Sequence, residues 1–66
     1  MGTMKLIVNG KETETSKTTL AGLIEELGVR PGAVEVNLEI VKKADYEAFR
    51  LKEGDKVEIV QFVGGG

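Results

Sequence analysis

The residues best placed to do chemistry stand at the end of the chain. Val60-Gln61-Phe62-Val63 reads as the close of a strand, and it feeds directly into Gly64-Gly65-Gly66. Glycine has no Cβ, so such a run has little intrinsic structure and loses much backbone entropy when ordered. With nothing after it to connect, the run does not work as a linker between domains. A thread without side chains can enter a narrow channel and present a terminal carboxylate to an enzyme. The plainer readings are a frayed terminus or glycines left over from expression. What the other residues can do has to decide between them.

Those residues exclude most catalysis. The sequence has 66 residues, enough for one domain, with no cysteine and no histidine. Ser-His-Asp and Cys-His triads, and the usual zinc sites, are therefore ruled out within the chain. Disulfides cannot staple it. An active site would have to be built from carboxylates, lysines, hydroxyls and the single tyrosine. Net charge is −2 with 30% charged residues, and no basic cluster is interleaved with aromatics, which argues against a nucleic-acid partner. No apolar run approaches the roughly 18 residues of a membrane span, and the N-terminus does not read as a signal peptide, so a cytoplasmic protein is expected. Met1-Gly2-Thr3 precedes a second methionine, Met4, and reads as a leader. The domain is then expected over residues 4–63, with residues 64–66 as a flexible tail.

The elements that must carry this tail follow from periodicity. Met4-Lys5-Leu6-Ile7-Val8 is a strand with Met4, Leu6 and Val8 on one face and Lys5 and Ile7 on the other. Asn9-Gly10 signals a two-residue hairpin turn, because both positions tolerate positive φ. Lys11 to Thr15 is the return strand, polar enough for an edge. Leu20, Leu23, Ile24 and Leu27 form one apolar helical stripe, with Gly28 suited to the left-handed position behind it. Thr18 and Thr19 both fit the N-cap. Gly22 falls opposite the stripe and should cost about 1 kcal/mol against alanine in a helix interior.

Arg30-Pro31-Gly32 turns the chain. Ala33 to Asn37 alternates as a strand with Val34 and Val36 inward, Leu38-Glu39 connects, and Ile40-Val41 is a brief further strand. Lys42 to Arg50 is mixed and suggests one helical turn with Asp45 as its cap, while Tyr46, Phe49 and Leu51 join the core. Glu53-Gly54-Asp55 is a turn. Lys56 to Val63 is the last strand, with Val57 and Ile59 inward and Glu58, Val60 and Phe62 outward. A single helix can cover only one face of the sheet. If the first and last strands are neighbours, Ile7, Val60 and Phe62 gather on the other face as a partner-binding patch. The segment from Lys42 to Leu51 is the alternative cover for that face.

This order of elements and its motifs resemble the ThiS/MoaD family of sulfur carriers, within the ubiquitin-like β-grasp superfamily, and the ThiS branch in particular. The resemblance runs from Met4 to Gly66. Its features are Val8-Asn9-Gly10, Thr19-Leu20-Ala21 with Leu23 and Leu27-Gly28, and Val36-Asn37 with Glu39-Ile40-Val41. The most specific part is Leu51-Lys52-Glu53-Gly54-Asp55-Lys56-Val57-Glu58-Ile59-Val60 with Phe62-Val63-Gly64-Gly65-Gly66. Leu38 departs from the glycine or polar residue common in the family, and Lys42-Lys43 from its proline-basic pair. The family's chains end in Gly-Gly, which argues against glycines left over from expression.

The resemblance implies an α+β β-grasp fold, a mixed sheet of four to five strands on one main helix. It implies a carrier rather than an enzyme. The Gly66 carboxylate would be adenylated by a ThiF-like adenylyltransferase using Mg-ATP and converted to a thiocarboxylate with sulfur from a cysteine persulfide. A ThiG-like thiazole synthase would take that sulfur for the thiazole of thiamine. Gly64 and Gly65 would thread the partner's channel. The chain itself would bind no metal or cofactor, contribute no catalytic group and be a monomer when free. Alternatives are a MoaD-like carrier for molybdopterin or tRNA thiolation, a ubiquitin-like modifier joined to lysines through Gly66, and a regulatory β-grasp module with an inert tail.

Overall fold

Two short turns and one capped helix set the architecture. The structure, a computed structural model, describes residues 2–61. Its elements are β1 (Met4–Val8), β2 (Lys11–Thr15), α1 (Leu20–Leu27), β3 (Pro31–Val36), β4 (Glu39–Val41), a 3-10 turn (Lys43–Asp45) and β5 (Lys56–Gln61). They build one five-stranded sheet in the order β2-β1-β5-β3-β4. β1 and β5 run parallel, and the other neighbours are antiparallel. The sheet is therefore mixed, and the first and last strands are neighbours at its centre.

Alternation puts one side of each strand against the helix. Leu6 and Val8 of β1, Val34 and Val36 of β3, Val41 of β4, and Val57 and Ile59 of β5 form the core with Leu20, Leu23 and Leu51. Leu6, Leu20, Leu23, Val34 and Val57 are fully buried, and each such side chain stabilises the fold by roughly 1.5–3 kcal/mol. The helix stripe is only partly inside: Ile24 is half-buried and Leu27 is exposed at its edge. Thr19, not Thr18, is the N-cap, its Oγ1 accepting from the Gly22 amide at 3.1 Å. Gly28 closes the helix at φ 68, donating to the Ile24 and Glu25 carbonyls.

The stretch from Lys42 to Leu51 lies beside the helix. The Leu20 and Ala21 amides, which have no partner inside their own helix, donate to the Phe49 and Tyr46 carbonyls at 3.0 Å each. Leu51 donates to the Thr18 carbonyl at 2.9 Å. Tyr46 and Phe49 pack against the core as expected. On the opposite face of the sheet, Glu58, Val60 and Ile40 remain exposed.

Three local expectations need correction. Asp45 is the last residue of the 3-10 turn rather than its cap; the cap position is Lys42, which makes no side-chain capping bond. The Asp45 carbonyl instead accepts from the Ala48 and Phe49 amides and carries the chain onward. β3 starts at Pro31, two residues before the expected start at Ala33, and its register shifts between Pro31 and Ala33. Proline has no amide to donate, which confines it to such strand starts and irregularities. β3 then stops at Val36, because Asn37 and Leu38 form the turn to β4 at φ 53 and 72. Gly22 stands in the first turn of the helix. A Cβ there would lie 3.3 Å from Lys17 Cβ and 3.3 Å from Thr19 Oγ1.

Candidate functional site

β5 is the strand that leads to the terminal glycines, and it lies at the centre of the sheet. β1 and β3 flank it, and Gln61, its last described residue, pairs with Pro31. The reacting and threading positions, Gly66, Gly65 and Gly64, and the expected patch residue Phe62 lie outside the described residues.

Two asparagine side chains reinforce the ends of β5. At its start, the Asn37 amide donates to the Lys56 carbonyl at 2.8 Å, and Asn37 Oδ1 accepts from the Lys56 amide at 3.0 Å. Asn37 Nδ2 donates to Asp55 Oδ1 at 3.0 Å, and Asp55 Oδ2 accepts from the Lys52 amide at 2.9 Å. Asp55 is only 7% exposed, so these donors satisfy a buried carboxylate. Towards the exit, Asn9 Oδ1 accepts from the Ile59 amide at 2.7 Å, while Asn9 Nδ2 donates to the Ile59 carbonyl at 3.1 Å. Sequence reasoning treats Asn9 only as a turn residue. Its bond to Ile59 spans 50 positions and leaves no periodic signal.

The expected apolar patch is on one face but not in one place. Ile7 and Val60 both point away from the helix, yet Ile7 registers with Lys56 while Val60 registers with Ala33. From Lys56 to Val60 is four steps of strand, about 13 Å at about 3.3 Å per residue. Glu58 lies between them, directly across from Glu35. Ile7 is half-buried, whereas Val60 is 64% exposed. The reason is that β1 runs alongside only the beginning of β5 before turning away at Asn9. Two exposed apolar residues escaped the reading: Ile40, opposite Glu35 on this same face, and Leu38 at the hairpin tip. Ile40 was recoverable from its alternation with inward Val41.

Among the described residues, no three Asp or Glu side chains converge as a metal site. Among them, too, no helix is long and apolar enough to cross a membrane.

The ThiS family model matches residues 3–66. A thiazole synthase of Paramagnetospirillum magneticum is 52% identical over 66 residues, which cover 96% of this chain and 20% of that protein. The chain thus spans about a fifth of the length of such relatives; a thiazole synthase of Magnetococcus marinus is matched over the same 20% share. The sulfur carrier protein ThiS of Bacillus subtilis is 39% identical, over 92% of this chain and 98% of that protein. The crystal structure of ThiS from Geobacter metallireducens superposes with a TM-score of 0.78 at 33% identity, covering 96% of this chain and 100% of that one. With this β-grasp sheet, a family match across nearly every residue and a whole-length relative, the chain belongs to the ThiS family.

Proposed function

We propose that this chain is a sulfur carrier for the thiazole of thiamine, with the Gly66 carboxylate as the reacting group. The observation that carries the reading is the match to a sulfur carrier over 98% of that protein's length. A carboxylate is a poor electrophile, so it is first activated. A carboxylate oxygen attacks the α-phosphorus of Mg-ATP on a ThiF-like adenylyltransferase, and pyrophosphate leaves. A cysteine persulfide sulfur then attacks the acyl carbon and expels AMP. A thiol cleaves the resulting S–S bond and leaves the thiocarboxylate. ATP, magnesium and the persulfide all belong to partners, in keeping with a chain that has no histidine or cysteine of its own.

A thiazole synthase is the proposed sulfur acceptor. Relatives of that name contain a segment resembling this chain, in one case at 52% identity, as a fifth of their own length. Carrying both partners in one polypeptide would raise the effective concentration of each for the other. The exposed sheet face around Val60, with Ile7 at its far end, is the proposed recognition surface, because Gly64 and Gly65 by themselves offer few contacts. Deleting Gly66, or appending one residue to it, should abolish ATP-dependent pyrophosphate release with a ThiF-like enzyme. The thermal melt should stay in place, since the core described above is built from Leu6 to Ile59. Undiminished pyrophosphate release by the deletion variant would refute Gly66 as the reacting residue.

A further inference from the structure

β5 loses its β1 partner before it ends. The parallel ladder runs through Ile7–Lys56 and Val8–Val57, and its last main-chain bond is donated by the Asn9 amide to the Val57 carbonyl at 2.8 Å. The chain then turns away at Asn9 and Gly10, at φ 49 and 81. The next groups of β5 facing that side are the Ile59 amide and carbonyl. The Asn9 carboxamide meets both, accepting at 2.7 Å and donating at 3.1 Å. One side chain so reproduces both arms of a missing rung.

The turn itself does not require this. Glycine satisfies a positive φ at no steric cost, so what asparagine adds at position 9 over glycine is the carboxamide on Ile59. That contact lies two residues before Gln61, where the described strand ends. We propose that Asn9 is a positioning residue that fixes the direction in which β5 leaves the sheet towards the reacting terminus. This rests on the carrier reading above. A terminus that departs from a fixed strand samples a narrower cone, and narrowing the approach of a reacting group raises its effective concentration at the partner's site. Asn9 touches no reacting atom; it acts through Ile59.

Asn9→Gly and Asn9→Asp separate this role from the turn, since both residues tolerate the left-handed backbone. Glycine removes the clamp. Aspartate keeps the acceptor for the Ile59 amide but sets a second oxygen against the Ile59 carbonyl. In the full chain, amide hydrogen exchange at Ile59 should accelerate about tenfold in Asn9→Gly, the factor that about one lost net hydrogen bond corresponds to, and less in Asn9→Asp, which keeps the acceptor. Exchange at Leu6 and Val34 should stay unchanged. With a ThiF-like enzyme, the Kd for the carrier should stay within about twofold, while the single-turnover rate of pyrophosphate release at saturating carrier falls about tenfold. A merely structural role would lower the amount of binding-competent protein and leave the rate at saturation intact, and that outcome overturns the proposal. So does wild-type protection of the Ile59 amide in Asn9→Gly. A wild-type chain that releases no pyrophosphate at all sinks the carrier reading instead, and the exchange measurement still decides whether Asn9 holds the strand.

Discussion

Asn9-Gly10 and Asn37-Leu38 close the two hairpins with nearly the same backbone, φ 49 and 81 in one and 53 and 72 in the other. Each asparagine also reaches across to β5, Asn37 at its start and Asn9 towards its end. They differ in what surrounds the clamp. Asn37 is tied to a buried carboxylate, Asp55, which holds the Lys52 amide as well. The Asn9 carboxamide holds only the main chain of Ile59. They differ too in the second turn residue. Gly10 meets the positive φ freely, whereas Leu38 meets it with a branched side chain that is 86% exposed. One end of β5 is thus built into the fold by a polar network. The other pairs with β3 but is held on its β1 side by a single side chain.

Removing both clamps in turn is the largest test of that contrast. Asn37→Gly keeps the turn but leaves Asp55 Oδ1 without its donor, and should destabilise the domain by about 2 kcal/mol in urea unfolding. Asn9→Gly should cost about 1 kcal/mol or less, because the freed Ile59 groups sit near the strand's end. Equal losses would mean that the Asp55 network does not distinguish the two ends.

The second turn residue gives a smaller effect of opposite sign. A left-handed backbone costs a non-glycine residue about 1–2 kcal/mol, and glycine's own folding entropy returns part of this. Leu38→Gly should therefore stabilise the domain by about 0.5–1 kcal/mol, read as a rise in the thermal midpoint. A fall would show that the Leu38 side chain packs on something within the chain.

What the sequence discloses here is the part governed by short periods. Alternation assigned Val34, Val36, Val57 and Ile59 to the core, and the helical spacing found Leu20 and Leu23. What it could not disclose depends on residues brought together by the fold. The Asn9 and Asn37 clamps, 50 and 19 positions from their partners, are of this kind. So is the separation of Ile7 from Val60, since alternation assigns faces but not the register at which a parallel neighbour departs. Leu38 was legible as part of a connection but not as a residue at positive φ, which a leucine does not announce. At the candidate site, the Asn9 bonds to Ile59 were not legible.

Gly22 gives the smallest effect and sharpens the same point. In a helix interior its replacement by alanine would stabilise by about 1 kcal/mol. In the first turn, with a Cβ 3.3 Å from both Lys17 Cβ and the capping Thr19 Oγ1, Gly22→Ala should stay within about ±0.5 kcal/mol. A full gain would show that Lys17 moves aside freely and that the cap tolerates the methyl group.

The carrier reading is tested most directly at the Gly66 carboxylate. With a ThiF-like enzyme, Mg-ATP and a persulfide donor, intact-mass and fragment analysis should show one oxygen exchanged for one sulfur, confined to Gly66. Adding a thiazole synthase with its other substrates should return that residue to the carboxylate as the sulfur leaves. A Gly66 that stays a carboxylate, in an assay that converts the Bacillus subtilis ThiS, would contradict the carrier function outright.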